Sequence, residues 1–444
     1  MMKNEAFVHL TDALPPDIAR RKAMGDLEGA KRLIDLRLSA AGQPELAERL
    51  MVERLRLERL PRDYPYDRAQ ALTMIRAEWP GCSEEQFDGL VDAGRIDWRM
   101  IGSVPHYHER FLESLRLYPA QAPGLHQEHT DQTERELTLE RLRDAGALTA
   151  RITLRAGIRA RTDPAGREVQ AWLPIPAACP QQSEIQILDA TPGGVCAPED
   201  APQRTIWWKS RGRDAFTVTY RYLHRAVYID PLTIRPSRVQ PSFDLEEQWP
   251  HVVFTPYLRA LAERLTDGLS SPVEKARSLY DYVTGYVDYR YQPAYLQLDD
   301  IADTCARELR GDCGVFALLF ITLCRIVGIP ARWQSGLAVR PDSVGPHDWA
   351  MFYIAPHGWL WADCSYGSSA RRQGQVQRRR HYFGNLDPWR MVANSEFYAP
   401  LTPPMPGWRQ DPYDNQRGEL MVDGRGLDDP ERECTQELLS FELL

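Results

Sequence analysis

Along the first third of the chain, apolar residues recur at three- and four-residue spacing. Ala30–Leu38 and Leu46–Leu60 are rich in Arg, Glu and Leu and carry an apolar stripe, which predicts amphipathic helices. The stretch Leu60-Pro61-Arg62-Asp63-Tyr64-Pro65-Tyr66 breaks that pattern, and Ser83-Glu84-Glu85-Gln86-Phe87 restarts it with Ser83 placed as an N-cap. A segment from Tyr107 to Leu117 puts Phe111, Leu112 and Leu115 on one face, and the polar run Gln121–Glu134 reads as a linker. Residues 1–145 are therefore expected to form a helical N-terminal domain.

From about residue 150 the period shortens to two. Arg151–Ala160 and Ala215–Tyr222 alternate apolar and polar positions, as half-buried strands do. Between them lie Trp172-Leu173-Pro174-Ile175-Pro176, Ile185–Leu188 and Ile206-Trp207-Trp208, separated by Pro, Gly and Asp turns. Short strands at this spacing predict a small β-sandwich over 150–240.

Helical spacing returns over 250–400. Pro272–Tyr286 is expected as a helix, with Ser271 as its cap and Pro272 at its first position. A second helix runs from Cys313 to Val327 and stops at Gly328, with Pro330 beyond. His347–Ile354 and Trp359–Cys364 flank Ala355-Pro356-His357-Gly358 and read as a hairpin. Residues 401–444, Pro-rich and then acidic, form a C-terminal extension to which no independent fold is assigned.

Composition narrows the classes. A net charge of -8 leaves no basic excess to displace counterions from phosphates, so no nucleic-acid partner is expected. The N-terminus lacks a basic region followed by an apolar run, and no stretch approaches the ~18 apolar residues of a membrane span. A protein without a membrane partner, located in the cytoplasm, is the expectation. The eight cysteines form no CxxC pair, which suits reduced thiols better than a disulfide framework.

One of them has chemical context. Gly311-Asp312-Cys313-Gly314 opens a helix that continues Val315-Phe316-Ala317-Leu318-Leu319-Phe320. A thiol at a helix N-terminus feels the positive end of the macrodipole, and the amides there can stabilise an oxyanion. His347 follows on a strand and Asp363 on the next. A thiol nucleophile needs an imidazole to move its proton, and the imidazole needs an acceptor to fix its tautomer. Cys313 is accordingly expected to be the most alkylation-sensitive thiol. Gln292 is a candidate side-chain oxyanion donor, with Tyr289 and Tyr291 as rivals. Cys324 reads as core filler. The Arg371, Arg372, Arg378, Arg379 and Arg380 cluster reads as a solvated loop, with a lid for acidic substrates as the sharper alternative. Metal ligands are not expected: structural zinc sites use close-spaced pairs, and Asp363 and Cys364 point to opposite faces of a strand.

The stretch 270–370 resembles the transglutaminase-like superfamily. The matching residues are Pro272–Arg277, Val287-Asp288-Tyr289, Gly311-Asp312-Cys313 with Ala317 and Leu318, Gly328-Ile329-Pro330-Ala331-Arg332, His347 with Trp349, and Trp361 with Asp363, in that order. The resemblance implies an α+β, papain-like core, a nucleophilic Cys313, a general acid/base His347 and an orienting Asp363. It also implies an acyl-thioester formed from an amide; a peptide or protein amide is the expected substrate, and no cofactor is expected. Thiol amidohydrolase or peptidase is the leading expectation; the alternatives are a protein-glutamine transglutaminase and a non-catalytic scaffold on a degenerate core. Oligomeric state is not legible.

Strand alternation sets a geometric condition. A two- or four-residue turn at Ala355–Gly358 would place His347 and Asp363 on opposite faces. Sharing a face requires an odd loop, such as three residues at 355–357, or a β-bulge. With the three-residue loop, Trp349 lies opposite Asp363 and His347 reaches it diagonally, its other ring edge toward Cys313.

Overall fold

The computed structural model describes residues 4–40, 44–125, 133–407 and 409–444. Seven α-helices occupy the front end among these residues, from Pro16–Ala23 to Thr133–Ala145. The predicted helices are present as Leu27–Ser39 and Pro44–Asp63, and Ser83 caps Glu84–Asp92 through a full capping box. The Leu60–Tyr66 break falls later than expected: Pro61 sits inside the helix, in its last turn. There a proline removes one intrahelical bond without interrupting a long run. Tyr107 belongs to a short hairpin, Trp98–Ile101 with Val104–Tyr107, and the helix behind it begins at Phe111. Within the expected linker, residues 126–132 lie outside the described part.

The β-rich region packs two sheets over one apolar core containing Ile152, Leu154, Val169, Trp208, Val218 and Tyr220. One sheet runs Arg432–Leu443, Ala147–Ala160, Ala215–Val227, Gln182–Ala190; the other runs Arg425–Gly426, Glu419–Val422, Glu168–Pro174, Thr205–Arg211, Val195–Cys196. The C-terminal extension thus supplies strands to both sheets. Its alternation (Glu433, Thr435, Glu437 against Cys434, Leu438) is a strand pattern whose partner lies some 280 residues upstream, as in the Glu437–Arg155 pairing.

The remaining core is α+β. The helix Cys313–Ile326 is buried along most of its length, wrapped by Pro256–Thr266, Pro272–Tyr286 and Ile301–Glu308. A run of Val, Phe, Leu and Ile on every side suits a helix enclosed by protein. It lies against an antiparallel sheet ordered Phe383–Gly384, Gly358–Ala362, Ser343–Ile354, Ala331–Arg340, Arg390–Asn394. Ala350, Phe352, Ile354, Leu360 and Ala362 face the helix. Trp349 belongs to the opposite face, with Leu386 and Val392. The hairpin pairs Ile354 with Gly358 and Tyr353 with Trp359, so its loop is the three residues 355–357. Among the described residues no helix is long and apolar enough to cross a membrane.

Candidate active site

Cys313 is the first residue of its helix. Asp312 caps it, its carboxylate accepting from the Val315 amide and from the Tyr295 hydroxyl. Of the first-turn amides without an intrahelical partner, this leaves those of Cys313 and Gly314 at the open end. Gly314 is required by close approach: a Cβ there would lie 2.2 Å from the Tyr295 hydroxyl. The thiol opens into a cleft of about 640 Å³ whose walls include Tyr289, Gln292, Tyr295, Asp348 and Asp414. Arg59 and Arg110 from the helical front end complete the wall, Arg110 lying 3.4 Å above the Tyr291 ring.

The three-residue loop brings His347 and Asp363 together, but the second strand ends at Ala362 rather than Cys364, and Asp363 is the N-cap of the helix Cys364–Arg372. Asp363 Oδ2 is 2.8 Å from His347 Nε2, and both side chains are buried. Asp363 also accepts from Arg390 Nη2 at 2.8 Å and from the Tyr366 amide at 2.9 Å. Burial alone would raise its pKa; the charges of His347 and Arg390 outweigh that and hold it at about 2. The imidazole stacks on Tyr366 with 4.3 Å between ring centroids. Burial lowers the His347 pKa against the pull of Asp363.

The third expected contact differs. Cys313 Sγ donates to Asp348 Oδ2 at 3.1 Å, and no hydrogen bond joins it to His347. Alternation explains this: Asp348 shares the helix-facing side with Ala350, whereas His347 shares the side of Trp349. The surroundings of the resting thiol oppose its ionisation. Burial, then the charges of Asp348 and Asp312, push the Cys313 pKa well above the usual thiol value, against the helix dipole. Asp348 is itself raised to about 7, burial being the main cause.

Gln292 lines the cleft, but its amide donates to the Arg290 carbonyl at 3.0 Å, so it is not aimed at the thiol. Tyr289 and Tyr295 stand in the wall beside Asp312. The arginine cluster is not a solvated loop: it lies on two helices, Cys364–Arg372 and Val376–His381, where Arg378 binds Glu136 and Arg379 binds Asp281. Arg378 and Arg379 fasten helices to one another, whereas Arg371 and Arg380 are exposed. Cys324 is fully buried, as expected of core filler. Among the described residues no group of three or more His, Cys, Asp or Glu is placed to hold a metal ion, and no cysteine is paired.

Sequence reasoning missed Asp348, Arg390, Asp414 and Gln416. The signal for Asp348 was its parity, a carboxylate on the strand face otherwise occupied by Ala350 and Phe352. Arg390 follows Asp387-Pro388-Trp389 and begins the edge strand Arg390–Asn394.

Residues 259–364 match the family model of the transglutaminase-like superfamily, and the segment forms a transglutaminase-like core. Among solved structures, a Cytophaga hutchinsonii protein described as a "Putative Cysteine Protease" is 16% identical, with 67% of this chain and 90% of that one covered and a TM-score of 0.39. The periplasmic domain of TgpA from Pseudomonas aeruginosa is 17% identical, with 55% and 95% covered and a TM-score of 0.28. No curated protein matches the chain.

Proposed function

We propose that this transglutaminase-like core is a thiol enzyme that forms an acyl-thioester on Cys313 and passes the acyl group to water, acting as an amidohydrolase or peptidase on a peptide or protein amide. The observation that carries the reading is the buried His347–Asp363 pair, one residue along the strand from the carboxylate that the thiol touches. Catalytic hydrogen bonds are often completed only when substrate is bound.

Because His347 lies on the strand face opposite Asp348, attack requires Sγ to leave Asp348 and the strand to shift so that His347 meets the thiol; the proton then passes to His347 Nδ1, the nitrogen that Asp363 does not engage. As the bond from sulfur to the carbonyl carbon forms, the carbonyl electron pair moves to oxygen. The amides of Cys313 and Gly314 receive that oxyanion, a contact worth on the order of 10²–10³ in rate per donor. Gln292 serves as a further donor once it exchanges its Arg290 partner. Collapse expels the amine, which takes the proton from His347. Water, deprotonated by the same ring, then attacks the thioester, and the sulfur leaves as a thiol. Asp363 remains ionised throughout and keeps the ring proton on Nε2.

A second reading, transfer to a primary amine, is favoured by Asp348, Asp411 and Asp414 on the same cleft, carboxylates that attract an ammonium group. Product analysis with a glutamine peptide, with and without added amine, separates the two: glutamate is the hydrolysis product, and a substituted amide the transfer product. Equal, background turnover in wild type and Cys313→Ala would refute both and leave the scaffold reading.

A further inference from the structure

The carboxylate that touches Cys313 is held from its other side. Gln416 Nε2 donates to Asp348 Oδ1 at 2.6 Å and to the His347 carbonyl at 3.0 Å. Gln416 is fixed in turn, its carbonyl accepting from Gln436 Nε2 at 2.7 Å, which ties this segment to the last strand of the chain. One side chain from the C-terminal segment therefore grips both neighbours on the strand that bears the imidazole. Gln416 engages Oδ1 and the thiol meets Oδ2, while Asp414 adds a side-chain hydrogen bond to the same carboxyl.

We propose that Asp348 is a further catalytic residue, keeping Cys313 in its thiol form in the resting site, and that Gln416 is the positioning residue that aims it. The proposal rests on Cys313 as the nucleophile. The charged and titratable groups around the pair come from every element packed against it. Asp312 contributes a second carboxyl from the cap of the Cys313 helix. Asp414 and Asp411 act from the C-terminal segment, Asp414 being anchored on Ser335 Oγ at 2.6 Å. Tyr289 and Tyr295 contribute hydroxyls, and Arg110 is the cation acting on Asp312. His347 is turned to Asp363. Carboxyls outnumber cations around the sulfur, so a thiolate formed against Asp348 would face like charge at contact distance. The proton stays on sulfur until Sγ moves away from Oδ2. Such a hold protects a nucleophile from oxidation and stray electrophiles, because the thiolate is the reactive form.

Alkylation reads the thiol directly and requires no substrate, so its result is independent of acyl transfer. The rate of iodoacetamide labelling at Cys313 is measured against pH on the full chain, with peptide mapping. Wild type is expected to show an apparent pKa above the ~8.5 of free cysteine. Asp348→Asn is expected to move the profile down by about one unit or more, labelling on the order of tenfold faster near pH 7.5. Asp348→Glu returns the charge and should restore slow labelling. Gln416→Ala keeps the charge but loosens its aim, giving an intermediate shift. Slower labelling of Asp348→Asn, or an unshifted profile, would overturn the proposal. If that variant does not fold, a wild-type pKa at or below that of free cysteine overturns it equally.

Discussion

In the proposed mechanism, Asp363 serves catalysis and stability together. It closes the His347 pair and partners the buried Arg390, which is shared with Asp387 at 2.7 Å. His347→Ala removes the proton carrier; Asp363→Asn leaves it in the wrong tautomer. Turnover should fall on the order of 10⁴ in Asp363→Asn and at least as far in His347→Ala, measured as kcat. Wild-type turnover in either variant would cancel that residue's role. The pH dependence has a definite sign. The folded pKa of Asp363, about 2, lies below its unfolded value. Its contribution is therefore fully present above the unfolded pKa of ~3.9 and is lost as pH falls through the folded value, about 2 kcal/mol in all. Urea unfolding should show the gap between wild type and Asp363→Asn narrowing by that amount between pH 5 and 2. A gap independent of pH would contradict the ionic role. The His347–Asp363 pairing was legible because residue type, order and strand alternation coincide. The thiol's actual partner was not, because it depends on which strand face meets the helix at a single residue.

At the level of elements, hairpin register follows from sequence once side-chain alternation is imposed. The demand that His347 and Asp363 share a face selected an odd loop, and residues 355–357 form it. The Cys313 helix was equally readable from its apolar run and its Gly328 stop. The edge strand Arg390–Asn394 was not, since Asp387-Pro388-Trp389 masks its start and its pairing is irregular. The register of that strand against Ala331–Arg340 shifts at Ser335/Gly336. Gly336 makes the junction possible, as a Cβ there would sit 2.0 Å from the Met391 carbonyl oxygen. Gly336→Ala should force the strands apart, displacing Arg390 from Asp363 and costing on the order of 1–3 kcal/mol as an overpacking change. Unfolding and turnover should both report the loss. A variant with wild-type midpoint and rate would show that the junction does not position Arg390.

Across the whole molecule, the site is assembled from distant parts of the chain. The front end supplies Arg59 and Arg110 to the cleft, the core supplies Cys313 and Asp348, and the C-terminal segment supplies Asp414 and Gln416. Local patterning could not reveal this, because each contribution depends on contacts hundreds of residues apart, such as Arg56 with Asp299. Deleting residues 432–444 would strip the neighbour from Ala147–Ala160 and expose a long sheet edge. The shortened chain should aggregate or lose stability in size-exclusion and unfolding measurements; unchanged elution and midpoint would show that the last strand is dispensable. The central claim, an acyl group carried on Cys313, is tested most directly by mass spectrometry of the protein after brief exposure to an activated acyl ester or a glutamine peptide, quenched in acid. The account predicts one acyl mass on the Cys313 peptide, absent in Cys313→Ala and formed far more slowly in His347→Ala. An adduct on another cysteine, or substrate turnover that persists in Cys313→Ala, would contradict it.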